Sequence, residues 1–220
     1  MEEITMNNIV ICGDSYYDYD DRYPGLHWAD RLNPHAIYRL ARGGASNFSI
    51  WHQIRYSIKF KPDVVFITFT SCPRNEFLKG AEFKSIDTDS EYLEDKMWAY
   101  RNNMWESVDH FLPVYNKEMF VKWMPYYVKE YEILKNYLFI KSALDFLKEQ
   151  KIKFYFTFGG FVDSLDSSSV LGIDINFDEY KEHNILPNGW YHRDYLLDPY
   201  FHIKDETWHA THAELIKSLL

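Results

Sequence analysis

The chain has 220 residues, is 46 % hydrophobic and 19 % aromatic, and carries a formal net charge of −9. The acidic balance excludes the basic footprint of a nucleic-acid binder and disfavours an anionic membrane surface as partner. No run approaches the roughly 20 apolar residues of a membrane span, and no basic segment leads into an apolar core and cleavage site, so a cytoplasmic location is expected.

The first predicted element is "NIVIC" (8–12), a short apolar run rich in β-branched residues that reads as a fully buried strand. It ends abruptly in "GDSYYDYDD". Gly, Asp and Ser all form turns, yet the same placement would set Ser15 at the mouth of a sheet. "PHAIYRLA" (34–41) reads as a weaker strand. "ASNFSIWHQIRYSI" (45–58) reads as a helix, with Ile50, Ile54 and Ile58 at four-residue spacing and Ser46 or Asn47 as its cap. "DVVFITFT" (63–70) is the clearest buried strand.

Residues 71–116 are polar with scattered aromatics and are expected to form a long excursion with short helices beyond the sheet edge. From 117 to 150 the pattern is helical: Phe120, Met124, Tyr127, Tyr131, Leu134 and Leu138 step by three or four, followed by Ala143, Leu144 and Leu147. "KFYFTFGG" (153–160) is a strand ending in paired glycines, 161–197 is mixed loop, and 205–220 is a terminal helix capped by Asp205 with Glu206 in its first turn. No Pro/Gly/Ser-rich linker divides the chain, so one domain over 1–220 is expected.

Continuous apolar strands alternating with helices indicate a parallel sheet covered on both faces. In such a sheet the ligand site lies beyond the carboxyl ends of the strands. Ser15, Cys72 and Gly159 each follow a predicted strand and should share that rim. A serine nucleophile also needs a base, an orienting carboxylate and donors for the oxyanion. Gly43, Gly44 and Asn47 in "RGGASN" (42–47), Arg74 and Asn75 in "TSCPRNEF" (70–77), and the acids and histidines of "DPYFHIKDETWH" (198–209) supply them in separate blocks.

These blocks, in this order, resemble the SGNH (GDSL-type) hydrolase superfamily. "ICGDSYYD" resembles the nucleophile block, which implies Ser15 as nucleophile, and "ARGGASN" resembles the glycine block, which implies Gly44 as an oxyanion donor. The C-terminal Asp and His resemble the Asp-x-x-His block ahead of a last helix. The resemblance implies a three-layer α/β/α sandwich with a mostly parallel, flavodoxin-like sheet. It also implies esterase activity, possibly on O-acetyl groups of a small-molecule or carbohydrate ester, and neither metal nor organic cofactor.

The sequence departs from the family twice. Where the family has Gly-x-Asn-Asp, strand alignment places Thr70 and Cys72, so the side-chain donor falls to Asn75 or to Arg74. The last block is one residue longer than usual in both of its possible pairs. His202 with Asp198 is preferred as base and orienting acid, because His202 precedes the helix cap; Asp205 with His209 is the alternative, one turn inside the helix. Asp14 is expected to orient the Ser loop or to favour the following helix N-terminus.

Other clusters read more plainly. The acidic run 18–22 lacks the Gly and distal Glu of a calcium loop and reads as a solvated face. His209 and His212 have helical metal-ligand spacing but no zinc-protease Glu. Cys12 and Cys72 read as small apolar residues in a reducing compartment. Two other functions fit the same blocks: an SGNH-type fold without catalysis, acting as a carbohydrate-binding or assembly component, and acyl transfer to an acceptor other than water.

Overall fold

The computed structural model describes residues 7–18, 24–70, 128–159, 169–170, 172–186 and 205–220, with the backbone alone of 75–78 and 105–108. Two strands form where apolar runs demand burial on both sides, β1 (Asn8–Cys12) and β3 (Val64–Thr68), and the half-buried β2 (Ala36–Arg39) pairs with β1 at the sheet edge. They join β6 (Lys153–Thr157) and β9 (Asn184–Leu186) in a five-stranded sheet of order β2-β1-β3-β6-β9. Every pairing in it is parallel. Counting only its own strands, the order is 2-1-3-4-5, the flavodoxin-like arrangement.

The alternation of side chains sorts the core into two layers. Val10, Cys12, Val65, Ile67, Phe154 and Phe156 face α1 (Asn47–Ser57) and α2 (Lys129–Glu149). Ile9, Ile11, Val64 and Phe66 face the opposite way, against a 3-10 helix at Trp28–Arg31 and α3 (Glu206–Leu219). The molecule is therefore a three-layer α/β/α sandwich. Among the described residues no helix is long and apolar enough to cross a membrane.

The helix caps follow their sequence signals. Ser46 caps α1, its hydroxyl accepting from the Ser49 N–H at 3.2 Å. Asp205 caps α3, one carboxylate oxygen accepting from the N–H groups of Thr207 and Trp208 at 2.9 and 3.2 Å. The α2 stripe needs correction. The buried positions are Ile133, Tyr137, Ile140, Ala143, Leu144 and Leu147, while Tyr131 and Leu138 are more than half exposed. The apolar face is rotated because polar Glu132 and Asn136 are also buried. Phe120, Met124 and Tyr127 lie outside the described residues.

Two further expectations are revised. The 71–116 excursion contains strands, β4 (Asn75–Leu78) and β5 (Trp105–Val108), paired antiparallel. The stretch read as mixed loop contributes a small hairpin, β7 (Ser169–Val170) with β8 (Ile173–Asp174), a 3-10 helix at Asp178–His183, and the fifth strand of the main sheet.

At the carboxyl end of β1 the backbone passes close against β3. Gly13 has φ of 151°, and a Cβ there would stand 2.3 Å from Thr68 Cγ2 and 3.0 Å from the Thr68 carbonyl oxygen. Only glycine fits this backbone conformation beside β3. Gly13→Ala should therefore destabilise the fold by at least about 3 kcal/mol, read from the midpoint of urea unfolding. Adding Thr68→Ser, which removes the clashing methyl, should recover part of that loss.

Candidate active site at the carboxyl rim

The chain leaves β1 through Gly13 into a tight turn. The Asp14 carbonyl accepts from the N–H groups of Tyr17 and Asp18 at 3.1 and 3.0 Å, and the Asp14 carboxylate accepts from the Tyr16 N–H at 3.2 Å. Asp14 is fully buried, so its part here is to shape the turn from beneath. The turn lifts Ser15 to a half-buried position at the rim.

The glycine block lies directly beside it. A Cβ on Gly43 would be 3.9 Å from Ser15 Cβ and 3.7 Å from an Asp18 carboxylate oxygen. The Gly43 N–H donates to that oxygen at 2.7 Å. Asp18 thus holds the glycine turn in place, a finer role than the solvated face its sequence suggested. Gly44 follows with φ of 76°, a left-handed conformation that suits glycine. One further bond ties the two turns together: the Arg42 N–H donates to the Gly13 carbonyl at 3.0 Å.

Asn47 does not cap α1. It is fully buried and pairs in both directions with the backbone of Thr70, accepting from its N–H and donating to its carbonyl, each at 2.9 Å. Its side-chain N–H also donates to Asn136 on α2 at 2.8 Å. The chain leaving β3 is thereby fixed where the third sequence block begins. Thr68 and Thr70 are buried here, and their hydroxyls find no hydrogen-bond partner among the described residues. Gly159, after β6, comes to the same rim: a Cβ there would be 3.0 Å from the Phe69 carbonyl oxygen and 3.8 Å from the Tyr16 ring.

The structure thus brings together Ser15, Asp14, Gly43, Gly44, Asn47, Thr70 and Gly159. Arg74, Cys72, Asp198 and His202 lie outside the described residues, and of Asn75 only the backbone in β4 is described. Sequence reading missed Gln53, which is fully buried on α1 and bonds to both the N–H and the carbonyl of Gly13. Its signal was a long polar side chain between Ile50 and Ile54 on the buried helix face.

His209 and His212 are both buried on α3. The His212 ring stacks on Trp208 with centroids 5.1 Å apart and meets Trp28 edge-on at 5.0 Å. Its Nε2 lies 3.5 Å from the Tyr17 hydroxyl, two residues beyond Ser15. The His209 ring is 5.8 Å from His27. His27 accepts from the Ala29 N–H through Nδ1 at 3.1 Å, and its buried Nε2 has no hydrogen-bond partner among the described residues. Among the described residues no group of three His, Cys, Asp or Glu side chains is arranged to hold a metal ion.

Burial sets the electrostatics of this layer. It pushes His212 down to about 3, with the neighbouring His209 acting the same way. It lowers His27 well below the ordinary histidine range, assisted by Arg39, His209 and His212. The Tyr17 hydroxyl is pushed up by burial and by the Asp14 charge, and the Cys12 thiol by burial alone. Cys12 is therefore an inert thiol inside the sheet.

No family model matches the chain. No curated protein matches it either. The chain is similar to solved structures. An acetyl xylan esterase is 13 % identical, with a TM-score of 0.48 over 97 % of this chain and 99 % of that one. A GDSL-like lipase from Bacteroides thetaiotaomicron VPI-5482 is 14 % identical, with a TM-score of 0.47 over 97 % of this chain and 87 % of that one.

The depressed histidines make a prediction about acid stability. His212 is held neutral in the fold, so the unfolded chain binds more protons below its ordinary value near 6.5. Its contribution is complete above that value and is lost as pH falls towards about 3. Between pH 7 and about pH 4 the loss should be on the order of 3 kcal/mol. His212→Phe should flatten the pH dependence of the urea midpoint by a comparable amount, and an unchanged slope would refute the assignment.

Proposed function

We propose that the chain is a serine hydrolase of carboxylic esters, of the SGNH type, with Ser15 as nucleophile. The observation that carries this reading is the packing of the Gly43–Gly44 turn against Ser15 Cβ at the carboxyl rim of a parallel sheet. Proximity of a serine to a glycine turn at such a rim supports the reading, because acyl transfer requires a hydroxyl and backbone donors near one reacting carbonyl. The Gly43 N–H is held by Asp18; Gly44 is proposed as the oxyanion donor of this turn, together with the Ser15 N–H, on the resemblance of "ARGGASN" to the glycine block.

In the proposed reaction the Ser15 hydroxyl attacks the acyl carbon while a histidine accepts its proton. The carbonyl π electrons move onto oxygen, where the donors hold the charge. Collapse expels the alcohol, which takes the proton back from the imidazolium, and an acyl-enzyme remains. Water, deprotonated by the same histidine, attacks the ester carbon; the second tetrahedral intermediate releases the acid and restores Ser15. Arg74 or Asn75 is assigned as the side-chain donor. An O-acetylated carbohydrate is the proposed substrate class, supported by the high aromatic content of the chain.

His202 is proposed as base with Asp198 as its orienting acid. The competing pair is disfavoured because Asp205 places a carboxylate oxygen on two helix N–H groups as the α3 cap. One observation favours His209 as base nonetheless: α3 packs against the Ser15 turn through the approach of His212 to Tyr17.

Hydrolysis of a short-chain aryl acetate tests the reading. Ser15→Ala should lose at least about 1000-fold in kcat/KM while keeping its circular dichroism. His202→Ala should lose activity comparably. Full activity in His202→Ala with loss in His209→Ala would transfer the base to α3. A folded wild type that neither hydrolyses the acetate nor labels with a fluorophosphonate would refute the esterase assignment and favour the binding or assembly role.

A further inference from the structure

The Gln53 side chain is the least expected group in the α1 layer. It is fully buried on the same helix face as Ile50 and Ile54, where an aliphatic residue would be cheaper. Its amide is nonetheless well satisfied. Oε1 accepts from the Gly13 N–H at 2.7 Å, and Nε2 donates to the Gly13 carbonyl at 3.2 Å. It engages the Gly13 backbone just past the last residue of β1, in the manner of a neighbouring strand.

The position of this bond matters more than its strength. Gly13 is two residues before Ser15, and its carbonyl also accepts from Arg42, immediately before the glycine turn. Gln53 therefore grips the single residue from which both the nucleophile turn and the oxyanion turn are hung. Glycine has no side chain to lock its own backbone, and at φ of 151° it has the largest freedom of any residue. A buried two-point amide is a direct way to remove that freedom. Asn47 repeats the device one strand away, on Thr70.

We propose that Gln53 is a positioning residue for catalysis, holding Gly13 so that Ser15 and the Gly44 N–H keep a common geometry. This rests on Ser15 being the nucleophile. Displacing a reacting group by about 1 Å can cost on the order of 100-fold in rate, so the effect should fall on kcat and not on KM.

The test uses Gln53→Met, which preserves length and volume but not the amide, and Gln53→Glu. Both are compared with wild type in aryl acetate hydrolysis and in the rate of labelling by a fluorophosphonate. Gln53→Met should lose about 100-fold in kcat and in labelling rate, with KM nearly unchanged. Gln53→Glu carries a pH signature that a volume-filling role would not produce. Its protonated carboxyl can accept from and donate to Gly13, whereas its carboxylate would face the Gly13 carbonyl. Burial raises that acid's pKa, so the variant's rate relative to wild type should be high near about pH 6 and fall as pH rises.

A folded Gln53→Met with wild-type kcat, or a Gln53→Glu whose relative rate is flat with pH, overturns the proposal. If Gln53→Met does not fold, the Gln53→Glu profile alone decides. If wild type itself is inert towards both probes, the esterase reading has failed, and amide hydrogen exchange separates the two ideas. Faster exchange at Gly13 to Ser15 in the variant, with β3 unchanged, upholds the clamp; unchanged exchange there refutes it.

Discussion

The close passage of Gly13 over Thr68 is the constraint on which the rest of the rim depends. Strand β1 must be central to be buried from both faces, and a central strand has neighbours on both sides at its end. To escape the sheet the chain has to turn where β3 leaves no room for a Cβ. Glycine resolves the steric conflict and creates an entropic one. The bonds from Gln53 and Arg42 to the Gly13 peptide answer the second problem. The Ser15 turn and the glycine turn then share an anchor, and Asp18 closes the loop by holding Gly43.

Polar burial is concentrated along this edge. Asp14, Ser46, Asn47, Ser49, Gln53, Thr68, Thr70 and Thr157 are all removed from solvent near strand ends or on the helix that serves them. A buried amide without partners would cost several kcal/mol, and Asn47 and Gln53 avoid that cost by bonding to backbone on both sides of the amide. The result exchanges the adaptable packing of aliphatic groups for directional bonds that admit one arrangement.

The opposite layer uses aromatic faces for the same end. Tyr17, Trp28, Trp208 and His212 form a connected stack that joins the Ser15 turn to the 3-10 helix and to α3. Because burial lowers His212 and His27, the stack behaves as an apolar contact at neutral pH and weakens on acidification.

Much of the architecture was legible from local pattern. The runs "NIVIC" and "DVVFITFT" are apolar on both faces and short, so they had to be central parallel strands; Ser46 and Asp205 announced caps for α1 and α3. Their interactions lie within a few residues, and a linear sequence records those well. Strand β9 was not legible, because "NIL" is three residues at a sheet edge and is a strand only by pairing with β6. The β4–β5 pair was missed for the same reason: its partners are about 30 residues apart and neither segment reads as a strand alone. Asn47 was offered as a cap and Gln53 went unremarked, since their partners, Thr70 and Gly13, are 23 and 40 positions away. By itself the sequence determined which segments must be buried and where α1 and α3 are capped, because hydrophobicity and capping are properties of neighbours along the chain. Only the tertiary structure decided which backbone each buried amide holds and which glycine lies beside Ser15, because a hydrogen bond is specified by distance and direction in space.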